Sequence, residues 1–118
     1  MASFFYLETC STCKRIRQEL AFGPEVELVE IKSQSISEEQ IDLMKTLAGS
    51  YEALFSRRAM KYRAMGLHEQ ELREADYRRL ILEEYTFLKR PVLILDDQIF
   101  VGNTKKVVAA AKEALGGR

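Results

Sequence analysis

The chain has no surplus of charge. Its 118 residues carry 18 Lys plus Arg against 18 Asp plus Glu, a formal net charge of zero. No whole-molecule field therefore draws it to nucleic acid or to an anionic membrane, and only a local basic patch could hold an anion. No apolar run approaches the about 20 residues that cross a bilayer. The N-terminus lacks a basic stretch followed by an apolar signal segment. The expected setting is a reducing cytosol, with no membrane and no direct nucleic acid partner. Repeats, low-complexity tracts and a convincing linker are missing too. Metal ligands are scarce: two cysteines and one histidine, His68, against the four ligands of a structural zinc site. No metal is expected.

What is present suits one compact domain over residues 1–118, since 47% of the chain is hydrophobic and enough for a real core. "SFFYL" (3–7) reads as a strand. From Ser11 the period changes: Cys13, Ile16 and Leu20 share one helical face, and Gly23-Pro24 breaks the helix. "VELVEI" (26–31) reads as a half-buried, alternating second strand. Ser37 answered by Gln40 is a capping box, opening a helix with Ile41, Met44 and Leu47 on one face and Gly49 at its end.

Residues 50–75 read as short helical pieces without a single period, broken at Gly66. "DYRRLILEEYTFLKR" (76–90) reads as a longer helix capped by Asp76, with Tyr77, Leu80, Ile81 and Leu88 on its stripe. After Pro91, "VLILDDQIFV" reads as a β-hairpin turning at Asp96-Asp97-Gln98. Thr104 caps a last helix that stops at Gly116. The order is βαβ, a helical block, then ββα.

Both cysteines lie in "FFYLETCSTCKRIRQEL" (4–20), between the first strand and the first helix. A cysteine at a helix start meets unpaired amides and the positive end of the helix dipole, which favour thiolate over thiol. Lys14 and Arg15 add positive charge. Cys10 precedes the helix and is expected to be the more exposed, attacking sulfur. Cys13, one turn in, is either its resolving partner or simply a small buried hydrophobe. Ser11 and Thr12 bring hydroxyls and amides that either hold an oxyanion or cap the helix.

Three stretches, "YLETCSTCKRIRQEL" (6–20), "LFSRRAMKYRAMGL" (54–67) and "LKRPVLILDDQIFVGN" (88–103), together resemble the arsenate reductase (ArsC) and Spx family over nearly the whole chain. The resemblance implies an α/β, thioredoxin-like fold. It has a four-stranded mixed sheet (βαβ…ββα) and a helical insertion over about 36–88.

It implies two activities. In arsenate reductases a cysteine matching Cys10 attacks arsenate, and glutathione with glutaredoxin completes the reduction; no cofactor is bound. In Spx-type regulators a CxxC matching Cys10 and Cys13 switches between dithiol and disulfide and binds the RNA polymerase α subunit. The resemblance also implies a cis bond at Arg90-Pro91, with Arg90 reaching the Cys10 sulfur or its bound anion. Arg58, or less directly Arg57, matches a second anion-binding arginine. The third falls on Asn103, which lacks the charge and forked donors of arginine; Lys105 and Lys106 nearby offer only point charges. His68 reads as a surface histidine, and Arg57 as a solvated charge.

Overall fold

The computed structural model describes residues 2–117, which divide into two compact units. Unit 1 runs to Gln34 and resumes at Arg90; unit 2 is Ser35–Lys89. Unit 1 contains β1 (Ala2–Tyr6), α1 (Ser11–Leu20), β2 (Glu27–Glu30), β3 (Val92–Leu95), β4 (Gln98–Val101) and α5 (Lys105–Gly116). Its four strands lie in the order β2-β1-β3-β4. β1 pairs parallel with β2 and antiparallel with β3, and β3 pairs antiparallel with β4. The sheet is therefore mixed, with a βαβ half and a ββα half, as the resemblance implies.

The central strands explain its stability. β3 is buried at all four positions, and aliphatic residues of this shape suit a strand covered on both faces. Phe4 opposite Leu93, with Ala2 opposite Leu95, faces Ile16 and Leu20 of α1 and Val108 and Ala111 of α5 in one apolar cluster. The hairpin turns tightly, with Asp96 at φ 54°, a region that aspartate tolerates better than most residues.

Several sequence expectations shift. "VELVEI" does not alternate in space: Val26, Val29 and Ile31 are buried while Leu28 is 38% exposed. β2 is an edge strand of four residues, Glu27–Glu30, so Val26 lies before it and is buried outside the pleat. α1 stops at Leu20, before Gly23-Pro24. Ala21 takes the left-handed conformation (φ 50°, ψ 39°) and its amide donates to the Arg17 carbonyl at 3.1 Å. A Cβ there costs about 1 kcal/mol, partly offset by the extra freedom of glycine in the unfolded chain. Ala21→Gly is thus expected to raise stability by about 0.5 kcal/mol, read as a higher urea midpoint at unchanged slope. Thr104 caps α5, its hydroxyl accepting from the Val107 amide at 3.2 Å, and the helix runs through Gly116, with Gly117 as its C-cap.

Unit 2 contains α2 (Glu38–Ala48), α3 (Met60–Ala64), α4 (Glu74–Glu83) and three short 3-10 turns at Glu52–Leu54, Leu67–Glu69 and Tyr85–Phe87. The capping box forms: the Gln40 amide donates to the Ser37 hydroxyl at 3.1 Å, and the Ser37 amide to the Gln40 side chain at 2.9 Å. The long helix expected over 76–90 does not. It begins earlier, with Arg73 as the cap, and Asp76 instead accepts from the Arg73 amide at 2.9 Å. It ends at Glu83, because the Glu84 carboxylate accepts from the Thr86 amide and hydroxyl and so starts a new turn. Leu88 is buried off the helix, in a bridge to Phe55.

Candidate functional site

Cys10 is the N-cap of α1, with extended backbone (φ −89°, ψ 110°). Its amide donates to the Leu7 carbonyl at 3.0 Å, and its carbonyl accepts from the Lys14 amide at 3.2 Å. Both backbone groups are thereby used, and the side chain is left at the helix start. Neither Ser11 nor Thr12 caps the helix; Ser11 is already its first residue and is exposed.

The Cys10 sulfur is partly buried, which alone raises its pKa. The Cys13 amide, the Cys13 thiol, the Thr12 amide and the Arg90 charge outweigh that and hold it below the ordinary thiol value. Cys13 goes the other way. It is 1% exposed, and burial, aided by the neighbouring Cys10, pushes its thiol up to about 11 against an opposing hydrogen bond from the Leu7 backbone and the Arg90 charge. Two cysteines three positions apart are thus split electrically. One favours thiolate at a helix start; the other stays a thiol inside the apolar face it shares with Ile16 and Leu20. Neither is disulfide-bonded.

Arg90 is half-buried, with its Nε atom fully so, and its charge reaches both sulfurs. The Arg90-Pro91 bond is cis. Pro91 is buried, and its carbonyl accepts from the Gly102 amide at 2.9 Å, tying the start of β3 to the end of β4. Cys10, Ser11, Thr12, Cys13, Arg90 and Pro91 all belong to unit 1. Asn103, where a third arginine was expected, is exposed immediately before α5, as are Lys105 and Lys106.

Arg58 belongs to unit 2 and is exposed. Its neighbour Arg57 is more than a solvated charge. It donates to Glu52 at 2.8 Å and to the Tyr77 hydroxyl at 2.9 Å, with its guanidinium 5.7 Å from the Tyr77 ring centroid. His68 lies 3.5 Å from Glu69. Among the described residues no group of three or more His, Cys, Asp or Glu could hold a metal ion, and no helix is long and apolar enough to cross a membrane. Nothing in the sequence singled out Glu30, whose carboxylate reaches the Cys10 loop. Its one trace is an acidic residue closing a strand before the polar pair Lys32-Ser33.

A profile of the ArsC family matches residues 5–111. No curated protein matches the chain. Solved structures do, at low identity. An arsenate reductase from Vibrio cholerae is 15% identical, with 93% of this chain and 96% of that one covered, at a TM-score of 0.78. A YffB protein is 23% identical over 94% and 98%, at 0.77. An arsenate reductase (ArsC) related protein from Brucella melitensis is 21% identical over 92% of each chain, at 0.70. These neighbours share the thioredoxin-like fold described above.

Proposed function

The chain belongs to the ArsC family, and from that premise we propose that it is a thiol-based oxidoreductase whose nucleophile is the Cys10 thiolate. One observation carries the reading. Cys10 is the N-cap of α1 with its side chain left at the helix start, where, against its partial burial, the Cys13 and Thr12 amides, the Cys13 thiol and Arg90 hold it below the ordinary thiol value, while Cys13 is 1% exposed and its thiol pushed up to about 11 by burial. A thiolate attacks; a thiol does not. Cys10 opens the reaction, and either Cys13 or an external thiol such as glutathione resolves the intermediate. Ser11, Thr12, Arg90 and Pro91, all of unit 1, are the candidate contacts for substrate, and an external thiol system of the glutathione–glutaredoxin class is the candidate reductant.

The test is the Cys10 alkylation rate against pH. Half-maximal reactivity below about 8.5, the ordinary thiol value, is expected; a midpoint at or above it removes the nucleophile. The arsenate version is read separately, as arsenate-dependent NADPH oxidation with glutathione, glutaredoxin and glutathione reductase. Turnover no faster than in Cys10→Ser removes arsenate as substrate and leaves thiol–disulfide exchange standing.

A second reading is favoured by the Cys13 thiol acting on the Cys10 sulfur and by Asn103 at the third arginine position. The pair then serves as a redox switch on a regulator that binds the RNA polymerase α subunit in one state. Its test is pull-down of the α C-terminal domain with reduced and oxidised protein; no binding in either state overturns it.

A further inference from the structure

Glu30 is the last residue of β2 and lies beside Tyr6, the last residue of β1. Its carboxylate does two things. One oxygen, Oε1, accepts from the Lys32 amide at 2.9 Å, the Ser33 amide at 2.8 Å and the Ser33 hydroxyl at 3.0 Å. The other, Oε2, accepts from the Glu8 amide at 2.8 Å, 22 residues away in sequence. The first set locks the carboxylate into its own turn. The second takes hold of the segment between β1 and α1, two residues before Cys10.

That segment reaches both cysteines, Cys10 through its backbone and Cys13 through its thiol. The Leu7 carbonyl accepts from the Cys10 amide, and the Leu7 backbone acts on the Cys13 thiol. The Tyr6 carbonyl is already taken by the Ile31 amide at 2.9 Å. The Glu8 amide, two residues past Tyr6, takes the Glu30 carboxylate as its acceptor. A carboxylate accepting several backbone amides makes strong, charge-assisted bonds, and a side chain fixed by its own turn places its partner better than a free one.

We propose that Glu30 is a positioning residue for Cys10: its carboxylate, locked into the turn after β2, holds the Glu8 amide and so fixes the backbone from which the Cys10 sulfur projects. The inference rests on the reading of Cys10 as the nucleophile. Glu30 touches no reacting atom; it acts through Leu7 and Glu8.

The experiment pairs hydrogen exchange of the Glu8 amide with the pH profile of Cys10 alkylation by iodoacetamide, in wild type, Glu30→Gln and Glu30→Ala. In Glu30→Ala the Glu8 amide is expected to lose its protection. The Cys10 profile should move to higher pH, with alkylation at pH 7 slowed by about threefold or more. Glu30→Gln keeps one acceptor oxygen where Glu30 uses two, so its NH2 must face either the Glu8 amide or the Lys32 and Ser33 amides; it should lose part of the Glu8 protection and shift the Cys10 profile upward by less than Glu30→Ala. Three results overturn the proposal: wild-type exchange at Glu8 in Glu30→Ala, lost protection with an unmoved Cys10 profile, or equal downward shifts in both variants, the mark of charge alone. A wild-type Cys10 that titrates at the ordinary thiol value overturns the nucleophile reading instead, and is seen before any variant is made.

Discussion

Cys13→Ala is expected to move the alkylation profile of Cys10 upward by about one pH unit, roughly tenfold in rate at pH 6, while Cys13→Ser leaves it near the wild-type position. The difference isolates one donor. The Cys13 backbone amide survives in both variants, but only cysteine and serine can donate a side-chain hydrogen bond to the Cys10 sulfur. Alanine removes that donor and keeps the helix. If Cys13 were only a filler of the Ile16–Leu20 face, alanine would be the milder change and serine, a buried hydroxyl, the harsher. Equal profiles in the two variants would therefore return Cys13 to a packing role. Disulfide formation is lost in both, so a mass decrease of two hydrogen atoms after mild oxidation is expected in wild type alone.

The signs of the two shifts define when the pair works. Cys10 is depressed, so its contribution to stability is present above the ordinary thiol pKa and is lost as pH falls through its folded value. Cys13 is raised, so its contribution is present below the ordinary thiol pKa and is lost as pH rises towards about 11. Between the two folded values the pair holds one thiolate and one thiol. The split widens that window on both sides, and thiolate attack needs it wide at neutral pH.

The site's core was legible because its signals are local. A strand, a Cys-x-x-Cys and a helical period place Cys10 at a cap and Cys13 on the buried face, with no knowledge of what lies beyond. Arg90 was legible only through the resemblance, because 80 residues separate it from Cys10. Glu30 was not legible at all, since its role depends on β1 and β2 being parallel neighbours with Tyr6 beside it.

In unit 2 the apolar pattern does not register polar side-chain bonds. Residues 76–90 carry apolar residues at near-helical spacing, and periodicity reads them as a single helix. Glu84 breaks that helix by capping Thr86, and the broken chain lets Leu88 pair with Phe55. The competing interaction is a side chain's bond to the backbone, which an apolar pattern does not register. Arg57 is engaged for a different reason: its side-chain partners Glu52 and Tyr77, five and twenty residues away, meet it only in the folded unit.

Phe55→Ala is expected to cost about 3–5 kcal/mol, a large share of the roughly 5–15 kcal/mol that stabilises a domain. Phe55 is fully buried and stands among three rings. Phe87 is stacked at 5.1 Å, Tyr77 tilted at 4.9 Å and Tyr62 edge-on at 6.0 Å, between centroids. Its backbone neighbours join the same two segments: the Ser56 amide donates to the Phe87 carbonyl at 2.7 Å, and the Lys89 amide to the Leu54 carbonyl at 2.8 Å. Two short 3-10 turns, each too small to hold itself, are thus fastened by one ring and two backbone bonds. Truncation removes the ring's burial and leaves a cavity that such short turns fill poorly. A smaller loss, under about 2 kcal/mol in urea denaturation, would mean that the turns collapse around the gap. Phe55→Leu keeps most of the volume but none of the ring geometry. It should fall between the two, and its distance from Phe55→Ala measures how much of the cost is packing and how much is aromatic contact.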